Sequence, residues 1–202
     1  MIESLESIDR DLVVYINGCH NSFFDEVMWF FSGPYIIIPI FLVIIWSLYT
    51  QYSLKQMAFI LVGFILVIAI ADLSSVYCFK EVFMRYRPSH HAELAHQLHF
   101  YESEPGQFYR GGLYGFVSSH AANYFAVCIT AISLIKVFWV RYFLSIVTFI
   151  IIYSRVYLGV HYVDVIRFVT SANPKRVMAI GQKSEIIQHD IGTYDAIQCI
   201  IE

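Results

Sequence analysis

Charged side chains are scarce in this chain of 202 residues. Only 14% of its residues are Asp, Glu, Lys or Arg, whereas soluble domains carry about 25%. Hydrophobic residues make up 58% of the chain, and its mean hydropathy is +0.60. The formal net charge of −3 provides no basic surface of the kind that binds nucleic acid. The composition therefore favours a membrane protein and argues against a nucleic-acid partner.

Cysteines and targeting signals are also sparse. The four cysteines, at positions 19, 78, 128 and 199, lie far apart and form no C-x-x-C pair. We therefore predict neither a zinc site nor a redox motif from them. The first ten residues are acidic and lack a basic start followed by an apolar core. No cleaved signal peptide is expected.

Long apolar runs are what the chain has instead. A hydrocarbon core of about 30 Å requires about 20 predominantly apolar residues in a helix. Four stretches approach or meet that requirement: residues 27–49, 57–79, 115–135 and 143–160. Kinks are expected in the first of them, at Gly33-Pro34 and at Pro39. We predict an all-α, polytopic membrane bundle of about four spans.

The two ends of the chain differ from this bundle. Leu5, Ile8, Leu12 and Tyr15 recur at helical spacing among charged residues, which predicts an amphipathic helix at the membrane surface. No spanning helix can be drawn after residue 166. The expected organisation is a membrane domain over residues 1–166 and a polar tail over residues 167–202.

The basic residues of the short connectors suggest an orientation. Lys55, Lys136 and Arg141 lie in or beside the two connectors at one end of the predicted bundle. By the positive-inside rule these connectors face the cytoplasm. The polar segment 80–114 and the motifs described next would then lie on the extracytoplasmic side.

The first motif is a pair of cations, Lys80 and Arg87, followed by Pro88. If the second spanning helix continues to Pro88, both cations lie on one face, two turns apart. There they could hold two oxygens of one phosphate group. The alternative is that both side chains snorkel to lipid headgroups.

The second and third motifs begin one apolar stretch and end another. Ser118-Ser119-His120 places exposed N–H groups and an imidazole at a helix start, which suits an anion, although simple capping explains it equally well. Arg155 supplies a fork of phosphate donors, and Asp164 is spaced to hold one nitrogen of His161. An interfacial Arg with a hydrogen-bonded His is the alternative. Convergence of three such motifs at one membrane face favours a phosphate site.

Taken in order, these three motifs resemble the signature of the type 2 phosphatidic acid phosphatase family, whose core is similar to that of the vanadium haloperoxidases. The resemblance covers about residues 20–166, and the stretch Phe23-Phe24-Asp25 is similar to bacterial members. It implies a phosphatase bundle in the bacterial cytoplasmic membrane. It also implies hydrolysis of a lipid phosphate monoester or diphosphate without a metal or other cofactor.

The resemblance implies a role for each motif residue. Phosphate oxygens would be bound by the substrate-binding set Lys80, Arg87, Ser118, Ser119 and Arg155. His161 would attack phosphorus and form a phosphohistidine, with Asp164 orienting it. His120 would protonate the leaving oxygen and then activate water. The substrates that the family suggests are phosphatidic acid, phosphatidylglycerol phosphate, undecaprenyl diphosphate and lipid A phosphate.

The sequence departs from the family pattern in two places. Val117 and Ser119 stand where the second motif usually has Pro and Gly, which brings a side chain close to the expected phosphate. From Arg167 onward the chain lacks the membrane helix with which the family continues. The missing helix leaves open a non-catalytic membrane protein that binds anionic lipid. A lipid phosphotransferase, with the same site but another acceptor, also stays open.

Other polar residues have simpler interpretations. Asp72, inside the second apolar stretch, is expected to be structural. The polar segment contains His90, His91, His96 and His99, for which a solvated loop is favoured over a metal site. Its aromatic residues, Tyr109 among them, are typical of an interfacial belt.

Overall fold

The computed structural model describes residues 2–163, with side chains from residue 7 onward. Its helices are α1 (Ile2–Gly18), α2 (Ser22–Ser32), α3 (Ile37–Tyr49), α4 (Leu54–Leu73), α5 (Glu81–Phe83), α6 (Ser119–Leu134) and α7 (Phe138–Tyr157). A π-helical stretch, Ser74–Lys80, joins α4 to α5. The polar segment holds short 3₁₀ turns and an antiparallel hairpin of β1 (Glu102–Glu104) and β2 (Gln107–Phe108).

The predicted apolar stretches all form helices. Within the described residues, two helical runs are long and apolar enough to cross a membrane: Leu54–Phe83 and Phe138–Tyr157. The pair Ser22–Ser32 and Pro34–Tyr49 adds a third crossing if it is counted as one bent span. The predicted all-α membrane architecture is thereby confirmed, with α6 as a shorter apolar helix.

The first apolar stretch is bent where the sequence predicts it. α2 and the helical run that follows Gly33 meet at an angle of 61°. Pro39, in contrast, causes no break, because α3 continues through it to Tyr49. Pro39 lies in the first turn of α3, where proline is tolerated.

The third apolar stretch becomes helical later than expected, at Ser119 instead of residue 115. Gly115 donates its N–H to the Arg85 carbonyl at 2.8 Å, and Arg87 donates to the Leu113 carbonyl at 3.1 Å. These bonds hold residues 113–115 in an extended pairing with residues 85–87. The polar segment is therefore fastened to the start of α6.

The main core lies where α3, α4, α6 and α7 pack together. Ile44, Phe64, Ala131 and Ile151 contribute one fully buried side chain from each of these helices. Much of α4 faces outward, with Phe59, Ile65 and others exposed. An apolar helix that packs on one side only is expected in a membrane, where lipid covers the rest.

α1 packs through a face that its apolar pattern does not indicate. Its buried stripe is Asp9, Val13 and Asn17, spaced four residues apart. Ile8 and Tyr15, from the predicted apolar face, are exposed. An exposed apolar face is compatible with an interfacial helix, while two polar residues attach α1 to the rest of the protein.

Asp9 and Asn17 make these attachments by specific hydrogen bonds. Asp9 accepts one from the Arg85 guanidinium at 2.8 Å. Asn17 donates to the carbonyls of His99 and Tyr157 at 2.8 and 2.7 Å, and it accepts from the His99 N–H at 2.7 Å. α1 thus joins the polar segment to the end of α7. Asp164 and the proposed tail 167–202 lie outside the described residues.

Candidate active site

Lys80 is the last residue of the π-helical stretch that follows α4. Its ammonium group donates to the Ser119 hydroxyl at 2.6 Å, and that hydroxyl also bonds the Ser75 hydroxyl at 2.5 Å. A π-helical stretch re-aims side chains relative to an α-helix and is frequent at functional sites. Lys80 therefore points toward the start of α6, and the side chain of Ser119 holds it there.

Arg87 does not share a helix face with Lys80, so that expectation was wrong. The helix ends at Phe83 because Met84 adopts a left-handed conformation with φ 41°. Arg87 instead lies in the extended pairing with residues 113–115. Its guanidinium donates to the Tyr114 carbonyl at 3.1 Å and to the Val160 carbonyl at 3.5 Å. The second of these contacts places it beside His161.

Two glycines leave room for Arg87. A Cβ at Gly115 would lie 2.7 Å from the Arg87 Cγ, and a Cβ at Gly111 would lie 2.6 Å from its Nη1. Gly111 also has a φ of +67°, which side chains rarely tolerate. Neither position can carry a larger residue without moving the guanidinium.

Arg155 lies in the last turn of α7 and is buried. Its guanidinium donates to the Ser32 hydroxyl and, at 3.0 Å, to the Tyr109 hydroxyl. Its Nε is buried without a hydrogen-bond acceptor among the described residues. A buried guanidinium with remaining donor capacity is suited to an anion and cannot be snorkelling into headgroups.

α6 begins at the second motif. Ser118 is the N-cap, and its hydroxyl accepts from the Ala121 N–H at 3.3 Å. Ser118 therefore does cap α6. The N–H groups of the first turn still form the positive end of a helix, which favours an anion. The Nε2 atom of His120 is buried without a partner among residues 2–163. The role in proton transfer that the resemblance implies for His120 stays a prediction.

His161 follows the end of α7 and is almost fully buried. Gly159, with φ +68°, turns the chain so that the Arg155 carbonyl accepts from the N–H groups of Val160 and His161. The His161 Nδ1 lies 2.8 Å from the Gly115 carbonyl oxygen. Because a carbonyl can only accept, Nδ1 carries the proton and Nε2 presents a lone pair.

The surroundings of His161 keep its imidazole neutral. Burial lowers its pKa well below the usual 6.5, and the positive charges of Arg87 and Arg155 lower it further. The bond to the Gly115 carbonyl opposes this only in part. A neutral imidazole is the form that can act as a nucleophile.

The three motifs come together at one end of the bundle. Electrostatic interactions link Arg155 to Lys80, His120 and His161, and link Arg87 to Lys80 and His161. Asp164 lies outside the described residues, so its orienting role stays a prediction. Within those residues the Gly115 carbonyl is the group that holds His161 Nδ1.

Several contributors to the site were not predicted from the sequence. None of the three motifs includes Gly115, Ser32 or Ser75. Every residue has a backbone carbonyl, so the residue type cannot indicate the role of the Gly115 carbonyl. The sequence predicts an aromatic belt that includes Tyr109, yet its hydroxyl accepts a hydrogen bond from Arg155. Asp72 accepts from the Asn123 amide at 3.0 Å, which agrees with the structural role expected for it.

The fold and site define a helical membrane protein with a neutral histidine among fixed cations, an arrangement suited to phosphate chemistry. Residues 57–166 match the PAP2 superfamily. The chain belongs to this superfamily. This membership, together with two relatives named as phosphatases, supports the conclusion that the protein is a phosphatase. The predicted family resemblance is thereby confirmed.

Both relatives carry the name Lipid A 4'-phosphatase. The protein from Bacteroides thetaiotaomicron is 34% identical over 162 residues, which cover 80% of this chain and 70% of that protein. The protein from Porphyromonas gingivalis is 28% identical over 162 residues, which cover 80% of this chain and 66% of that protein. The chain thus spans about two thirds of their length. No solved structure matches it.

Proposed function

We propose that this protein hydrolyses a phosphate monoester or diphosphate of a membrane lipid through a phosphohistidine at His161. The observation that carries the proposal is the 2.8 Å contact between His161 Nδ1 and the Gly115 carbonyl. It leaves Nε2 free, in a pocket of fixed positive charge. A phosphorylated glycolipid such as lipid A is the first candidate substrate, because both relatives are named Lipid A 4'-phosphatase.

In the proposed first step, the phosphoryl group binds among Lys80, Arg87 and Arg155. These cations and the N–H groups at the start of α6 offset the charge of the transition state. His161 Nε2 forms a bond to phosphorus as the bond to the lipid oxygen breaks. His120 donates a proton to that oxygen, so the lipid leaves as an alcohol.

In the second step, His120 accepts a proton from water, which attacks the phosphohistidine. The bond between phosphorus and Nε2 breaks, and inorganic phosphate leaves. Asp164 is proposed to support His161 in both steps. The fixed cations supply the positive charge that a metal ion would otherwise provide, so we propose that the chemistry needs no metal.

We further propose that the site faces the extracytoplasmic side of the bacterial cytoplasmic membrane. Lys55, Lys136 and Arg141 lie where α4 begins, α6 ends and α7 begins. Lys80 and Arg155 lie toward the opposite ends of α4 and α7. The positive-inside rule assigns the first end to the cytoplasm.

The test is phosphate release by the purified full-length protein in detergent, beside His161→Ala. The panel holds lipid A, phosphatidic acid, phosphatidylglycerol phosphate and undecaprenyl diphosphate. We expect release from at least one lipid and a loss of about 10⁴-fold or more in His161→Ala. Release that continues in a folded His161→Ala protein would overturn the proposal.

Two further arms separate the alternatives. Phosphate that appears on an added lipid or sugar acceptor, instead of in solution, would identify a phosphotransferase. Lipid binding without turnover by the folded protein would identify a non-catalytic protein. Activity lost to a chelator and regained with Mg²⁺ would contradict the metal-free chemistry.

A further inference from the structure

A cluster of metal-ligating side chains lies outside the phosphate site. His20, in the turn between α1 and α2, and Asp25, in the first turn of α2, meet His99 from the polar segment. One ligand atom from each of the three lies within 4.8 Å of the other two. The cluster therefore joins two parts of the chain that are distant in sequence.

The internal geometry of the cluster brings its donors together. The rings of His20 and His99 stack with centroids 3.9 Å apart and an interplanar angle of 9°. The His99 Nε2 lies 3.2 Å from the Asp25 Oδ2. His20 is exposed, so its ring can turn toward the other two without displacing packed side chains.

A supporting set of hydrogen bonds holds two of the three ligands. The other oxygen of Asp25, Oδ1, accepts from the Tyr157 hydroxyl at 2.8 Å. The backbone of His99 is held on both sides by Asn17, which accepts from its N–H at 2.7 Å and donates to its carbonyl at 2.8 Å. Metal ligands are commonly oriented by such partners, because a fixed donor loses less freedom on binding.

The donor set selects the class of ion. Two imidazoles and one carboxylate suit Zn²⁺ and related divalent transition metals, which bind at about 2.0–2.2 Å and keep a further position for water. Ca²⁺ and Mg²⁺ prefer sites built from oxygen alone. Ligand atoms within 4.8 Å need a shift of about 1.5 Å to reach such distances, which the exposed His20 can supply.

We propose that His20, Asp25 and His99 bind one divalent transition metal ion, with Zn²⁺ as the best match. The ion would fasten the turn between α1 and α2 to the polar segment, over the end of α7. Tyr157, the partner of Asp25, is the last residue of α7, and His161 follows soon after it. The ion is thus a structural clamp beside the phosphate site and takes no part in the proposed phosphoryl transfer.

The test measures metal binding directly and does not depend on activity. Full-length protein in detergent is stripped with a chelator, dialysed and titrated with Zn²⁺ by calorimetry, with bound metal counted by mass spectrometry. We expect one Zn²⁺ per chain and a higher unfolding temperature with the ion. His20→Ala and His99→Ala should each weaken binding at least tenfold.

His96→Ala is the matched control, since His96 lies in the same polar segment, is exposed and is outside the cluster. It should bind Zn²⁺ as the parent does, and excess Mg²⁺ should not compete. Unfolding temperatures without metal identify any variant that fails to fold, and Asp25→Asn then serves as a further ligand variant. No binding by the parent, or equal binding by the cluster variants, would overturn the proposal.

Discussion

α4 and the end of α7 are both apolar, but they differ in how much of their surface is buried in the protein. α4 belongs to the more apolar of the two spanning runs, yet only 11% of its most apolar window is buried in the protein, against 44% for α7. The residues from Ser154 to Tyr162 are all buried, and they include Arg155 and His161. Hydropathy therefore locates the membrane, whereas the site is found where polar residues interrupt an apolar run and are still buried.

The largest difference in kcat/KM between the two regions should appear when one basic residue is replaced by the other basic type. Arg155→Lys loses the planar fork that bonds Ser32 and Tyr109, so the remaining donors can no longer be fixed around a phosphate. We expect kcat/KM to fall by about 10²–10³-fold. Lys55→Arg, in the exposed first turn of α4, should change it little. Equal effects of the two exchanges, measured on the preferred lipid, would contradict the comparison.

A pair of glycine substitutions sharpens the same contrast. In Gly115→Ala the new Cβ would lie 2.7 Å from the Arg87 Cγ, and the displaced guanidinium should lower kcat/KM by about 10²-fold. In Gly63→Ala, within α4, nothing lies within 4 Å of the new Cβ. That change should leave activity intact and stabilise the helix by up to about 1 kcal/mol. Unchanged kcat/KM in Gly115→Ala would show that Arg87 is not confined as described.

The residues that follow α4 contribute to the site, and Ser75→Ala tests this contribution with a smaller effect. The change removes one of the two hydrogen bonds that hold the Ser119 hydroxyl near Lys80. Loss of one neutral hydrogen bond of about 1 kcal/mol predicts a fall in kcat/KM of about fivefold. Ser133→Ala, which removes only a bond to a carbonyl of its own helix, is the control. A full loss of activity in Ser75→Ala, with the fold intact, would mean that Ser75 has a more direct role.

His161 should stay neutral in the pH range where an ordinary histidine becomes protonated. Burial and two nearby guanidinium groups lower its pKa well below 6.5, so protonation sets in only in more acidic solution. We expect the imidazole signal of His161 to remain that of a neutral ring at pH 6.0, in a nuclear magnetic resonance titration assigned with His161→Gln. A midpoint near 6.5 would contradict the burial and charge described for this residue.

Much of the fold could be predicted because membrane helices leave a strong compositional signal. The four apolar stretches and the kink at Gly33-Pro34 follow from runs of apolar residues and from proline chemistry. The helix boundaries near the site could not be predicted. They depend on the pairing of residues 85–87 with 113–115 and on the left-handed Met84, neither of which has a periodic pattern.

The motif residues were predictable as a set, but their supports were not. Lys80, Arg87 and Arg155 all act electrostatically on His161, while their phosphate-binding roles stay predictions. Their partners include backbone carbonyls and hydroxyls, such as the Gly115 carbonyl and Ser32, whose roles arise only once distant segments pack. The contact between His99 and Asp25 was not predicted, because His99 lies in the polar segment and Asp25 lies in α2, distant in sequence.

We propose that His161 Nε2 becomes phosphorylated during turnover. The direct measurement follows transfer of radiolabelled phosphate from a lipid substrate to the protein, quenched in alkaline detergent because phosphohistidine is labile in acid. We predict label on the wild-type chain, mapped to His161, and none on His161→Ala. A labelled His161→Ala protein, or label that maps to another residue, would contradict the account.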